Sequence, residues 1–301
     1  MGQVLDLPDI EEVYEVMEQV GDGGQADLYA GCERSSGRKV ALKIQKERGF
    51  EPSQYFKEVA KGFEKEGGRT QTLAGVRGIP EVFAIGYYRE RRCIALEFIE
   101  GKLLFDSTAS ARPVKDLGTI ASVAGQLCEI LDGVHRLNIV HRDLKPENVM
   151  VEPDGRIRLL DLGMAISANE DTEEGCGTIG YVPPEQLDRN TAGVTGRADI
   201  FALGCILLEM TAMQQPYGGT RTGLLQEGFP VLPPDRLADL PPALGPLMLR
   251  MVERLPERRP ADVREVFAAL RPHLPVPGSA RPRKPLRPDP TEYYRTNPPR
   301  L

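Results

Sequence analysis

The stretch His141–Asn148, with the sequence HRDLKPEN, constrains the fold and chemistry of this chain more than any other feature. It places a carboxylate, a lysine and an amide close together, at Asp143, Lys145 and Asn148. A helix would not hold all three, because Pro146 disfavours helical backbone at the residue before it. The stretch is therefore predicted to be a loop that turns the three side chains toward one point.

The side chains of this loop suit the transfer of a charged group. Asp143 can accept a proton or orient a hydroxyl, Lys145 can neutralise phosphate charge, and Asn148 can bind a metal through its amide oxygen. A second carboxylate, Asp161, ends an apolar run and stands two residues before Gly163, which permits an unusual backbone turn. Because Mg²⁺ usually takes one or two protein oxygens, Asn148 and Asp161 together are its predicted ligands.

Residues 14–100 have the pattern of a β-rich domain. Short runs of β-branched and apolar residues recur at Val40–Ile44, Val82–Gly86 and Cys93–Phe98, with turn residues between them. A single helical stretch, Ser53–Leu73, interrupts the strands. Residues 1–13 are assigned to an N-terminal flank.

Residues 101–272 have the pattern of a helical domain. Apolar residues recur at three- and four-residue spacing from Leu117 to His135, which predicts an amphipathic helix. The run Ile200–Met210 is apolar on all sides, as in a helix buried inside a domain. Two more helices are predicted at Leu244–Leu255 and Ala261–Leu270. Beyond them, residues 273–301 are rich in Pro and Arg, and a disordered tail is predicted.

Composition narrows the class of protein and its partners. The net charge of −6 and the pI of about 5.4 argue against a nucleic-acid-binding protein. No apolar run has the length of a membrane span, so a soluble cytoplasmic protein is expected.

The five cysteines are widely spaced and are expected to be mostly buried thiols. A solvated end is the main interpretation of the proline-rich tail, and binding to a partner is the alternative.

Two features upstream of the loop could contact phosphates. Gly21-Asp22-Gly23-Gly24 lies between two strand-like runs, and glycines let backbone N–H groups approach phosphate oxygens closely. A plain hairpin turn is the alternative interpretation. Lys43 ends the mainly apolar strand Val40–Lys43, and it acquires a function only where a phosphate or a glutamate meets it.

From about Tyr14 to Leu270 the chain resembles the eukaryotic-like Ser/Thr protein kinases, including their bacterial members. The resemblance rests on motifs in a fixed order: the glycine-rich turn, VALK ending at Lys43, an acidic helix, HRDLKPEN, Asp161-Leu162-Gly163, GTIGYVPPE at Gly177–Glu185, Asp199 and Arg259. It implies an α+β, two-lobed protein-kinase fold with a small β-rich N-lobe and a larger helical C-lobe. It also implies transfer of the ATP γ-phosphoryl group to Ser or Thr hydroxyls of proteins, the chain itself included, with Mg²⁺ or Mn²⁺.

The resemblance also assigns roles to residues at matching positions. Asp143 and Lys145 are the implied catalytic residues, and Asn148 and Asp161 the implied metal ligands. Thr178 would line the substrate channel, and Asp199 would brace the catalytic loop. The nucleotide-binding residues that it implies are Gly21, Asp22, Gly23, Gly24, Leu28, Ala41, Lys43, Glu66, Glu97, Ile99 and Asn148.

The acidic helix departs from the family pattern. Glu66 is the first candidate for the partner of Lys43, with Glu64 and Glu58 as alternatives. Gly67-Gly68 follows Glu66 directly, and each glycine inside a helix costs about 1 kcal/mol relative to alanine. The hypothesis is a loosely held helix that nucleotide or a partner must order.

Three functions are compatible with these motifs. An active Ser/Thr kinase leads, and a nucleotide-sensing pseudokinase is the alternative, since Ala26 stands where the family has a third glycine. A small-molecule phosphotransferase is third. Arg142 would let a phosphate order the activation segment, with Thr172 as the first candidate site and Thr178 and Ser167 behind it. The alternatives are that the carboxylates around Thr172 partly substitute for a phosphate, or that the segment is a solvated acidic loop.

Overall fold

The computed structural model describes residues 8–47, 53–105, 112–168, 177–187 and 193–301. These residues form two compact units. The first comprises the described residues up to Gly75 together with Ile79–Ile99 and Asp161–Gly163. The second comprises the remaining described residues, and the main change from one unit to the other falls between Ile99 and Glu100.

The first unit is built on a five-stranded antiparallel sheet. After the short helix α1 (Ile10–Val13), the elements in chain order are β1 (Tyr14–Asp22), β2 (Ala26–Glu33), β3 (Lys39–Gln45), helix α2 (Ser53–Thr72), β4 (Val82–Tyr88) and β5 (Arg91–Glu97). The strand order in the sheet is β1-β2-β3-β5-β4. The three predicted strands and the predicted helix are all present with slightly different ends.

Both faces of this sheet are covered. On one face, Val40, Leu42 and Ile44 of β3 are buried in a cluster with Ile10 and Tyr14. On the other, Val59 and Phe63 of α2 pack with residues of β4 and β5 in a second cluster. Alternating side chains of β3 therefore point to different environments, and Lys43 points toward the helix side.

Two long helices form the centre of the second unit. Helix α3 (Leu117–Arg136) is capped by Asp116, whose side chain accepts a hydrogen bond from the Thr119 amide at 2.7 Å. Of the described helices, α3 alone is long and apolar enough to cross a membrane. Because α3 is mostly buried inside the second unit, its length and apolar composition are also those of a core helix. They are therefore weak evidence for a membrane span. Helix α5 (Arg197–Ala212) is buried nearly all round, as its apolar sequence predicts.

The other elements of the second unit are short. Its strands are β6 (Lys102–Leu103), β7 (Ile139–Val140), β8 (Val149–Val151), β9 (Ile157–Leu159) and β10 (Ile166–Ser167). Its further α-helices are α4 (Pro184–Leu187), α6 (Arg221–Leu225), α7 (Pro234–Leu237), α8 (Gly245–Met251), α9 (Val263–Leu270) and α10 (Thr291–Thr296). Single 3-10 turns occur at Pro146–Asn148, Pro216–Gly219, Pro256–Arg258 and Arg271–His273. The strands pair as β6-β8-β9 and β7-β10.

The prediction of a disordered tail from residue 273 is wrong. The tail forms α10, and the side chains of Leu286, Tyr293 and Tyr294 are buried. Tyr294 is fully buried at the point where α3 carries Gly125, and a Cβ atom at that glycine would lie only 2.9 Å from the tyrosine hydroxyl.

Hydrogen bonds also hold the tail against α3. Gln126 Nε2 donates to the carbonyl oxygen of Pro290 at 3.2 Å, and the Arg300 amide donates to Glu129 Oε1 at 3.0 Å. A few large aromatic rings supply the buried area, since each buries about 150–250 Å². The prolines also reduce the conformational entropy that ordering removes. A prediction from average composition includes neither the area that these rings bury nor the lower entropy cost of the prolines.

Candidate active site

Lys43 is the centre of a charged cluster in the first unit. Its side chain is 19% exposed, and Nζ donates to Glu66 Oε1 at 2.6 Å and to Asp161 Oδ1 at 3.1 Å. Burial acts to lower the pKa of Lys43, but the two carboxylates outweigh it and hold the pKa above its usual value. The ammonium therefore stays protonated at physiological pH and can attract phosphate oxygens.

The three candidate partners of Lys43 have different positions on α2. Glu66 is buried and contacts Lys43, whereas Glu64 is exposed and forms an ion pair with Arg92 of β5. Glu58 is exposed. Residues two apart on a helix do not share a face, which is why Glu64 and Glu66 bind different cations.

Asp161 belongs to the first unit although it lies far along the chain. Its backbone has a φ of 58°, in the left-handed region, and its Oδ1 accepts a hydrogen bond from the Gly163 amide at 3.0 Å. Leu162 is buried, while the Asp161 side chain is 44% exposed. The turn thus presents a carboxylate that is fixed at one oxygen and accessible to a ligand.

The glycine-rich segment forms the turn between β1 and β2. Asp22 pairs with Asp27 across the hairpin, and the Gly23 amide donates to the Ala26 carbonyl at 2.9 Å. Gly23 and Gly24 are exposed, and Asp22 forms an ion pair with Lys46. The segment is a hairpin turn in this state, and its binding of phosphate stays a prediction.

Four further predicted nucleotide contacts lie in the first unit, three of them on strands of the sheet and the fourth just after β5. Leu28 on β2 is opposite Lys43, and Ala41 on β3 is opposite Leu96. Glu97 ends β5, where its backbone amide donates to the Glu81 carbonyl at 2.8 Å. Ile99 follows at the end of the first unit and is 8% exposed.

In the second unit the HRDLKPEN segment is a loop between β7 and β8, as predicted from Pro146. Lys145 Nζ lies 2.7 Å from Asp143 Oδ2 and donates to Thr178 Oγ1 at 2.8 Å. Thr178 Oγ1 in turn donates to Asp143 Oδ1 at 2.8 Å. The three side chains form a closed triangle, so the Asp143 carboxylate already accepts a hydrogen bond from a threonine hydroxyl.

Asn148 is oriented by the same aspartate. Its Nδ2 donates to the Asp143 carbonyl at 2.8 Å and to Asp143 Oδ2 at 3.2 Å. These two hydrogen bonds fix the orientation of the Asn148 amide group. Its oxygen is then the atom that remains to bind a cation. Each of the two predicted metal ligands, this amide oxygen in the second unit and the Asp161 carboxylate in the first, is a hard oxygen donor of the kind that Mg²⁺ prefers, so the chemistry of each fits that metal.

Asp199 holds the backbone that precedes Asp143. It is fully buried at the start of α5, where its carboxylate accepts from the amides of His141 at 3.0 Å and Arg142 at 2.9 Å. His135 Nε2 lies 2.8 Å from Asp199 Oδ2. The support matters because Arg142 has a φ of 69°, a backbone conformation that is strained for a residue with a side chain.

A known protein family matches most of the chain. A model described as protein kinase domain matches residues 14–263. The chain belongs to the protein kinase family. The predicted family and the predicted α+β kinase fold are thereby confirmed.

Several bacterial protein kinases are similar to this chain. A probable serine/threonine-protein kinase of Clostridium acetobutylicum is 30% identical over 85% of the chain and 39% of its own length. Serine/threonine-protein kinase Pkn1 of Myxococcus xanthus is 30% identical over 87% of the chain and 38% of its length. For PknB of Mycolicibacterium smegmatis the values are 27%, 87% and 43%. The chain thus spans about two fifths of the length of these relatives.

The structure describes two of the three candidate phosphorylation sites, Ser167 and Thr178. Thr172 lies outside the described residues. Ser167 is exposed in β10, and Thr178 is engaged with Asp143. Among the described residues, Nε and Nη2 of the buried Arg142 have no hydrogen-bond partner.

Two partners of acidic side chains were not predicted from the sequence: His135, which meets Asp199, and Arg92, which pairs with Glu64. His135 was placed among the residues of the apolar face of α3, and a histidine on such a face was the available signal for a buried partner. Arg92 gave no signal, because its ion pair with Glu64 depends on how α2 packs against β5.

Proposed function

We propose that the chain is an ATP-dependent protein Ser/Thr kinase. The observation that carries the proposal is the triangle of Asp143, Lys145 and Thr178, in which a carboxylate that accepts a hydroxyl hydrogen bond lies beside an ammonium group. A substrate Ser or Thr hydroxyl beside the Thr178 hydroxyl would meet the same carboxylate. The lysine would meet the transferred phosphoryl group.

The reaction forms a bond between the substrate oxygen and the γ-phosphorus and breaks the bond from that phosphorus to the β–γ bridging oxygen. Asp143 orients the hydroxyl and accepts its proton, and Lys145 neutralises charge on the phosphoryl oxygens. ADP is the leaving group. Positioning and charge neutralisation supply most of the rate, because the transition state of phosphoryl transfer is loose.

The nucleotide is assigned to residues of the first unit and to Asn148. Lys43 would bind the α- and β-phosphates, and Glu66 would hold its ammonium in position. The amides of Gly21, Gly23 and Gly24 would cover the phosphates, with Asp22 in the same turn. The predicted contacts of the adenine are Leu28, Ala41 and the backbones of Glu97 and Ile99. Mg²⁺, or Mn²⁺ in its place, would be held by Asn148 and Asp161 and would neutralise phosphate charge.

The partners and location follow from the same proposal. The second substrate is a protein with accessible Ser or Thr, and the chain itself is included. ATP is supplied in the cytoplasm, which is the proposed location. Within the tail, Arg283 and Lys284 are exposed beside Pro282 and Pro285, so a partner of the proline-rich segment would bind there.

Transfer of label from γ-labelled ATP tests the proposal. The chain is incubated with Mg²⁺ and a protein acceptor that contains Ser, Thr and Tyr, and the labelled amino acids are then separated. Label on serine or threonine is expected. Label confined to tyrosine or to a small molecule would contradict the proposal, and nucleotide binding without any transfer would indicate a pseudokinase.

A further inference from the structure

Helix α2 runs without a break through the glycine pair that follows Glu66. It extends from Ser53 to Thr72, and Gly67 is buried whereas Gly68 is partly exposed. The two glycines therefore have different surroundings, although both disfavour a helix to the same degree. A difference in surroundings at equal helix propensity allows the two positions to be compared directly.

Gly67 is in close contact with Ile85 of β4. A Cβ atom at this position would lie 2.5 Å from Cδ1 and 2.8 Å from Cγ1 of Ile85. Rotation of the Ile85 ethyl end could move Cδ1 but not Cγ1, and a β-branched side chain is restricted at χ1. An alanine at 67 would therefore push the helix away from the strand.

Gly68 provides the contrast. A Cβ atom there would meet no atom within 4 Å. Alanine at 68 therefore adds helix propensity without a clash, and it changes the helix in the same chemical way as alanine at 67.

Glu66, the partner of Lys43, directly precedes Gly67 in α2. The hydrogen bond from Lys43 Nζ to Glu66 Oε1 is 2.6 Å long, so a displacement of α2 by about 1 Å would break its geometry. The ion pair between Glu64 and Arg92 holds α2 against β5 on a different face of the helix and makes no contact with Glu66. The depth at which α2 rests on β4 thus sets the distance between Glu66 and Lys43.

We propose that Gly67 is a positioning residue of the kinase: its missing side chain lets α2 rest on Ile85 and so places Glu66 against Lys43. The inference rests on the proposed function, in which Lys43 binds the phosphates of ATP. It replaces the hypothesis that the glycine pair loosens the helix, because a buried glycine in close contact fixes the helix at one depth.

Kinetics of four variants test the proposal: Gly67→Ala, Gly68→Ala, Ile85→Ala and the double variant Gly67→Ala/Ile85→Ala. A displacement of about 1 Å can cost up to about 100-fold in rate. We expect Gly67→Ala to lower kcat/KM for ATP by about 10-fold to about 100-fold. Gly68→Ala is expected to remain within about twofold of the wild type. The double variant should recover most of the loss, because Ile85→Ala removes both atoms that clash.

Each outcome bears on one claim. Absence of transfer by the wild type would contradict the proposed function and not the role of Gly67. An active wild type with equal effects of alanine at 67 and 68 would overturn the role of Gly67. If Gly67→Ala alone fails to fold, the double variant decides: activity above that of Gly67→Ala supports the proposal, and equal loss overturns it. Amide exchange of α2 with bound ATP analogue gives a second measurement, in which Gly67→Ala should accelerate exchange and Gly68→Ala should not.

Discussion

The guanidinium of Arg259 binds the carboxylate of Glu185 through two parallel hydrogen bonds inside the second unit. Nη1 lies 2.6 Å from Oε1 and Nη2 lies 2.8 Å from Oε2, and the side chains are 0% and 7% exposed. Arg259 also donates to backbone carbonyls of Glu253, Arg197 and Arg254. The pair therefore connects the segment that follows Thr178 to the helices of this unit.

Removal of one partner of this pair should strongly destabilise the second unit. Arg259→Met leaves the Glu185 carboxylate buried without its cation, which typically costs about 3–5 kcal/mol. Urea unfolding at neutral pH measures the loss. Arg236→Met is the control, because Arg236 pairs with Asp239 at the surface and such pairs contribute about 1 kcal/mol or less. Similar losses in the two variants would contradict this account of the pair.

The tail should contribute to the stability of the second unit. Tyr294 is fully buried, and truncation of a large buried aromatic side chain costs about 3–5 kcal/mol. Tyr294→Ala is therefore expected to lower the free energy of unfolding by about that amount. Val276→Ala, at an exposed position of the same tail, should change it by less than about 0.5 kcal/mol. An unchanged unfolding midpoint for Tyr294→Ala would show that the tail does not pack on α3 in solution.

The pair of Asp199 and His135 should lower the pH at which the protein unfolds in acid. Burial acts to raise the pKa of Asp199, but the hydrogen bond and charge of His135 and the hydrogen bond from the His141 backbone amide outweigh it and lower the pKa. A carboxyl whose folded pKa lies below its unfolded value stabilises the fold above the unfolded pKa of about 3.9, and this contribution is lost as the pH falls through the folded pKa. His135→Phe should therefore move the midpoint of acid unfolding to higher pH.

The control for this pH dependence is His273→Phe, since His273 lies in a 3-10 turn near Gly118 at the start of α3, whereas His135 lies in the last turn of that helix. Acid titration followed by circular dichroism compares the two variants with the wild type. No shift is expected for His273→Phe. An acid midpoint of His135→Phe equal to that of the wild type would contradict the role of His135.

The Thr178 hydroxyl should matter for transfer beyond the packing of its methyl group. It accepts from Lys145 and donates to Asp143, and hydrogen bonds to charged groups contribute about 1.5–3 kcal/mol. Thr178→Val removes both bonds at nearly constant volume, so a fall in kcat of about 10-fold to about 100-fold is expected. Thr178→Ser retains the hydroxyl and should remain within about fivefold of the wild type. Equal rates for the Val and Ser variants would exclude a role for the hydroxyl.

The sequence predicted features that depend on local order and spacing. Pro146 indicated the loop that carries Asp143, and the apolar run at Ile200–Met210 indicated a buried helix. Glu66 was the first of three candidates to pair with Lys43, and it makes the contact. The packing depth of α2 on Ile85 could not be predicted, because it depends on a contact between elements far apart in the chain.

The tail shows the other limit of sequence analysis. Its composition indicates too little apolar surface for folding, yet Tyr293 and Tyr294 are both buried and Tyr294 packs against α3 at Gly125. Gly125 on that helix leaves space for the tyrosine ring, and the sequence gives no sign that the two belong together. His135 was missed for a related reason, since its partner Asp199 lies on another helix.

Phosphoryl transfer by Asp143→Asn tests the central claim most directly. The substitution keeps the size of the side chain but removes the charge and the acceptor for the hydroxyl proton, and acid–base groups of this kind contribute about 100-fold to about 10,000-fold. Asp154→Asn, at an exposed aspartate of the same unit, is the matched control and should keep the wild-type rate. The account predicts that label from γ-labelled ATP enters serine and threonine in the wild type and in the control, and falls at least about 100-fold in Asp143→Asn. Equal label in Asp143→Asn and wild type would contradict it.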